Sequence, residues 1–165
     1  MQKLSRISAL FKQYRSFSVV TIKDISLDHL KRLKNLYSAA PISGLFNEHD
    51  IDFAKDGSTS IRFTPKKEHC HTMLSMHGSG YFKMLDDAAF FAAQAHDEEN
   101  FVFTTSFTTY LVRPVEPGVP LIAHGKIENA GRSLQVASSR ILEEGTGNLV
   151  ATGSGTFMKS PHRFK

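Results

Sequence analysis

The 165-residue chain predicts an α+β fold: a curved antiparallel β-sheet wrapped around one long central helix, with an extra N-terminal helix. Three observations carry this. Runs of period-two alternation succeed one another after residue 100, separated by Gly- and Pro-bearing segments, as in a meander of half-buried strands. One segment, near residues 79–96, joins helical length to a composition rich in Ala and Phe. It is apolar on most sides, so it has to be wrapped rather than covered along a single stripe.

Residues 24–40 form the first helix, with Ser26 or Asp28 as cap and Leu30, Leu33, Leu36 and Tyr37 on one face. The stretch AAPISG (39–44) ends it. A first strand is expected within 45–54, and Asp56-Gly57 turns the chain into a second, 58–66. Residues 67–76 read as an irregular loop holding His69 and His71, and the central helix follows. Residues 100–113 then form a long strand. Phe101, Phe103, Thr105, Phe107, Thr109 and Leu111 share one face; Val102, Thr104, Ser106, Thr108 and Tyr110 share the other. Three more strands lie within 119–130, 131–144 and 149–160, the last two joined by the turn GTGN. Such a sheet has long edge strands, which pairing with a second copy would cover.

The net charge of +4 is concentrated at the start of the chain. Residues 1–18 hold Lys3, Arg6, Lys12 and Arg15 and no acid, and the remainder holds 16 basic and 16 acidic groups. The body is neutral, so no nucleic-acid surface is indicated. Residues 1–17 have the character of a mitochondrial transit peptide, with Leu4, Ile7, Leu10 and Phe11 at helical spacing and a processing-like Arg15-Ser16-Phe17-Ser18. This implies the mitochondrial matrix; the alternative is a basic N-terminal helix on a cytoplasmic protein. The folded domain is then 24–160. No apolar run reaches the ~18 residues of a membrane span. The single Cys70 excludes an internal disulfide. His69, Cys70 and His71 are adjacent, a spacing that suits no single ion, and no second ligand pair exists, so no metal is expected.

The most specific signal is His77-Gly78 with an acid nine residues later, Asp86. With LDDAAFFAA, YLVRPVEPG, GRSLQVASSRILEE and LVATGSGTFM, it resembles the PaaI-like acyl-CoA thioesterases of the hotdog-fold superfamily, from about residue 37 to 160. The resemblance implies a homodimer or homotetramer acting on an acyl-CoA, with no cofactor beyond the coenzyme A of the substrate. It assigns Asp86 as general base or nucleophile at a dimer-interface site. It places the oxyanion hole at the helix start, Gly78 and Ser79, with His77 setting the turn or touching the thioester. A hydroxyl from the next strand completes the site, Thr104 or Thr105, between which register alone does not choose. Arg132, in the GRS turn, is the first choice for contacting coenzyme A, ahead of Arg113, Arg140 and Lys159. The sequence departs from the pattern at His71, where many relatives have Asn or Gln, at Leu74, where many have Gly, and in HGS for HGG. His71 keeps a role in positioning water or polarising the carbonyl.

The chemistry agrees with the residue types. A helix N-terminus offers unpaired amides and a favourable dipole to a developing oxyanion. A carboxylate walled by Phe82, Phe90 and Ala93 is a stronger base than one in water, and Phe82 and Phe90 flank Asp86 at i−4 and i+4. Asp87 follows Lys83 by four residues and reads as a solvated helix pair. Two other readings stay open: a hotdog hydratase or dehydratase on acyl thioesters, and a non-catalytic acyl-CoA-binding or scaffold domain.

Overall fold

The computed structural model describes residues 24–46 and 50–163, so the basic leader, 1–17, lies outside the described residues. Helix α1, Leu27–Ala39, starts at Ser26, whose hydroxyl accepts from the His29 amide. Its inner face buries Leu30, Leu33 and Tyr37. Pro41 opens a 3-10 turn, Pro41–Phe46, where the first strand was expected to begin. Strand β1 is therefore short, Ile51–Phe53, and hairpins into β2, Thr59–Phe63. Gly57 takes φ 82° in the turn between them, and the Asp56 carboxylate accepts from the Ser58 amide and hydroxyl at 3.0 and 2.7 Å.

A 3-10 turn, Lys67–His69, leads to the central helix α2, Gly78–Ala95. Strands β3, Asn100–Leu111, β4, Leu121–Ala130, β5, Leu134–Glu143, and β6, Leu149–Arg163, complete the chain. All six strands form one antiparallel sheet in the order β1-β2-β4-β5-β6-β3. Helix α2 lies across it, and α1 packs on α2 and β1. This is the predicted wrapped-helix architecture.

Small residues bring α2 close to the sheet. Leu85, Ala88, Ala89, Ala92 and Ala93 are fully buried. At Gly125 in β4, a Cβ would stand 2.0 Å from the Ala88 carbonyl oxygen, so only glycine fits. On either side of that contact, sheet hydroxyls donate to helix carbonyls: Thr59 to Ala88 at 2.8 Å and Ser139 to Leu85 at 2.7 Å. These bonds satisfy hydroxyls that burial would otherwise strand.

Strand β3 departs from uniform alternation. A register shift between Thr104 and Ser106 marks a bulge. Ahead of it Val102 packs on Ala89 and Ala93, and Thr104 reaches Asp86. After it Phe107 meets Phe82 edge-on, ring centroids 5.8 Å apart. All three thus face α2, which corrects the expectation that Phe107 lies opposite Val102 and Thr104. Gly153 and Gly155 in β6 leave the space Phe107 fills: a Cβ on either would meet its ring at 2.6 or 2.4 Å. Strand β3 forms one edge of the sheet.

Candidate active site

Asp86 and Asp87 leave α2 toward different surroundings. Asp87 turns beneath α1 and forms an ion pair with Lys83. The two side chains are only 22% and 13% exposed, and the ammonium lies 5.6 and 5.5 Å from the Tyr37 and Phe46 ring centroids. The expected pair forms, but it is roofed rather than solvated, because α1 and the following 3-10 turn cover this side of α2. Burial raises the Asp87 pKa, and Lys83 opposes the shift.

Asp86 turns to β3, where the Thr104 hydroxyl donates to its Oδ1 at 3.1 Å. Aromatic rings stand on both sides. Phe82 rests on Phe107, and Phe90 lies 5.6 Å from Phe101 and 6.2 Å from Phe157. Withdrawal from water pushes the Asp86 pKa up to about 6; Asp87 adds to the shift, while the Thr104 hydrogen bond and Lys83 oppose it. Such a carboxylate is mostly ionised near neutrality yet binds a proton more readily than an ordinary Asp. Thr105 sits at the bulge and turns away, bonding the Thr156 carbonyl and hydroxyl at 3.0 and 2.9 Å. Backbone geometry therefore decides between the two threonines.

The start of α2 is built by His77. Its Nδ1 accepts from the Ser79 amide at 3.2 Å and lies 2.8 Å from the Ser79 hydroxyl. The Ser79 amide, expected as an oxyanion donor, is therefore already engaged. The Gly78 N–H has no acceptor among the described residues. It borders a cleft of about 300 Å³ lined also by His71, Tyr81, Leu111 and Arg113. Of the cations considered for coenzyme A, Arg113 is thus the one beside Gly78, and its carbonyl accepts from Tyr81 at 3.4 Å. Neither Tyr81 nor this placement of Arg113 was evident from spacing, although Tyr81 stands one turn into the helix. Lys159 is paired with Asp97 at 3.0 Å. Arg132 is exposed in the β4–β5 turn.

His71 stabilises its own loop: its Nδ1 accepts from the Met73 amide at 3.1 Å, and its carbonyl accepts from Leu74 at 2.8 Å. Leu74 is held at φ 57°, a left-handed conformation that costs a side-chain-bearing residue roughly 1–2 kcal/mol. That explains why glycine suits this position. His69 points elsewhere, between the Phe46 and Phe63 rings at 5.7 and 5.0 Å. Among the described residues no three His, Cys, Asp or Glu side chains gather as a metal site, and no helix is long and apolar enough to cross a membrane.

Within one chain, then, two groupings exist: Gly78 with His71 and Arg113, and Asp86 with Thr104 and Phe82. Gly78 and Asp86 are eight residues apart, about 12 Å along the helix axis. One carbonyl group cannot lie within hydrogen-bond reach of both.

Comparison with known proteins bears on the fold and the superfamily. Residues 75–150 match the family model of the thioesterase superfamily. The fold is similar to that of the E. coli PaaI protein from the phenylacetic acid degradation operon: TM-score 0.73, 18% identity, covering 82% of this chain and 99% of that one. A thioesterase family protein from Silicibacter pomeroyi gives TM-score 0.72 and 20% identity over 79% of this chain and 97% of that one. Zebra fish thioesterase superfamily member 2 gives 0.70 and 15% over 82% and 98%. No curated protein matches the sequence. The chain has the hotdog fold of these structures, and its residues 75–150 match the thioesterase superfamily model. The match to the superfamily model supports thioester-hydrolase chemistry, and the fold is similar to that of the PaaI protein.

Proposed function

We propose that the protein is an acyl-CoA thioesterase, hydrolysing an acyl-CoA to the free acid and coenzyme A. The observation that carries this reading is the state of Asp86, a partly desolvated carboxylate held by Thr104 between aromatic rings. Asp86 takes a proton from water as the water oxygen bonds to the thioester carbon; direct attack by the carboxylate, through an anhydride, is the variant. The carbonyl oxygen becomes anionic and is met by the Gly78 amide and the helix dipole. Collapse of the tetrahedral intermediate breaks the C–S bond, and the proton passes to the departing thiolate. The ~12 Å between Gly78 and Asp86 means that the amide and the base come from different copies of the chain. A homodimer joined along β3, where Phe103, Tyr110 and Leu111 are exposed, supplies both, and a homotetramer is two such dimers. Arg113 and Arg132 are placed at the surface for the coenzyme A phosphates, and no further cofactor is required.

The test is release of free thiol from short-chain, long-chain and aromatic acyl-CoAs by the wild type and by Asp86→Asn. Loss of turnover in the variant is expected; wild-type turnover would remove Asp86 from the mechanism. Following enoyl absorbance in the same reactions separates hydrolysis from hydration.

A further inference from the structure

We infer that Gln135 closes the acyl pocket and selects thioesters whose acyl group carries a neutral hydrogen-bonding group, such as a hydroxyl, at its far end. This rests on the acyl-CoA reading and narrows it to a substrate class. Gln135 is fully buried, and neither its Oε1 nor its Nε2 has a hydrogen-bond partner among the described residues. A buried primary amide with both ends unpaired is rare and calls for a specific reason.

The register says where that amide lies. Along β5, buried positions alternate, so Gln135 shares the α2-facing side with Ala137 and Ser139. Across the sheet, Gln135 stands opposite Phe157, and Phe157 stands opposite Thr104. Residues directly opposite one another share a face. Thr104, Phe157 and Gln135 thus form one row over three neighbouring strands, its ends about 10 Å apart at the usual strand spacing. One end touches Asp86, where the thioester carbon reacts. The other end is an amide offering a donor and an acceptor side by side.

Between them stands the Phe157 ring, 6.2 Å from Phe90 and 6.4 Å from Phe107. It shares its buried cluster with Ala89, Ala93, Ala137 and Val102, and Ile127 packs against that cluster. An acyl group entering beside Asp86 turns this ring aside, runs along the row and ends on Gln135. A plain alkyl end leaves the amide unpaired, whereas a hydroxyl pairs with both of its atoms.

The experiment compares kcat/KM for medium-chain acyl-CoAs of increasing length, each with and without a terminal hydroxyl. At one length the wild type is expected to prefer the hydroxylated member by at least about tenfold, and Gln135→Met is expected to reverse that preference. Gln135→Asn, with a shorter side chain, is expected to move the preferred length up by one methylene. Binding of the same pairs to Asp86→Asn by calorimetry reads the selectivity without turnover. Selectivity there with an inactive wild type would sink the hydrolase reading and keep this one; turnover with the same hydroxyl ratio in wild type and Gln135→Met would sink this one alone. A sharp drop in unfolding temperature for Gln135→Met would assign the amide to an internal structural water and overturn the proposal.

Discussion

Asp86 and Asp87 are adjacent on one helix, and burial raises the pKa of both. What separates them is what each finds on leaving the helix. Asp87 meets an ammonium under the roof of α1, and its carboxylate is matched by that ion pair. Asp86 meets a hydroxyl and aromatic rings on the β3 side, and its charge is neither fully matched nor fully solvated. Identical side chains one residue apart thus become a fastener and the proposed catalytic base. The helix does not distinguish them; the layer packed against each one does.

The largest expected effect tests that division of labour. Asp86→Asn should lower kcat for thioester hydrolysis by roughly 10²–10⁴, whereas Asp87→Asn in a correctly folded sample should stay within about tenfold of wild type. Equal losses in stopped-time thiol assays would erase the distinction.

Stability should show the opposite ranking. Lys83→Met leaves the Asp87 carboxylate buried and unpaired, and denaturant melts should show a loss of about 3 kcal/mol. Asp86→Asn should instead stabilise the protein. The Asp86 pKa is raised in the folded state from 3.8 to about 6, so its contribution to stability is full below about pH 4 and is lost as pH rises through 6. Near neutrality the amide should therefore gain on the order of 1–2 kcal/mol, after allowance for the water that still reaches the carboxylate. The dependence of stability on pH between about 4 and 6 should flatten in the variant.

A subtler shift concerns the acid limb of the pH–rate profile, expected near 6 in the wild type. The Thr104 hydroxyl favours the ionised form, so Thr104→Val should move that limb upward, and Thr105→Val should leave it in place. The smallest effect belongs to the loop leading into α2. Leu74→Gly removes the left-handed strain and should raise the denaturation midpoint by the equivalent of about 0.5–1 kcal/mol, with turnover unchanged.

These expectations draw on parts of the molecule that were unequally legible in the sequence. The central helix, its wrapping sheet and the His77-Gly78-to-Asp86 spacing follow from periodicity and a short motif, because each depends on local chemistry. The face of Phe107 did not follow: alternation assumes unbroken register, and the bulge between Thr104 and Ser106 is a property of how β3 meets β6. The roof over Lys83 and Asp87 was hidden for a similar reason, since it comes from Tyr37 and Phe46, some forty residues upstream. The early part of the first predicted strand went instead to the 3-10 turn that Pro41 opens, which carries Phe46 into that roof.

The contact at Gly125 has a consequence for how this scaffold diverges. There the helix rests on main-chain atoms rather than on side chains, so its height above the sheet is a fixed datum that core substitutions cannot raise. On the proposed acyl path, any change in what is admitted has to be made sideways, by resizing Phe107, Phe157 and their neighbours on the far strands, while the floor-to-ceiling dimension is inherited unchanged.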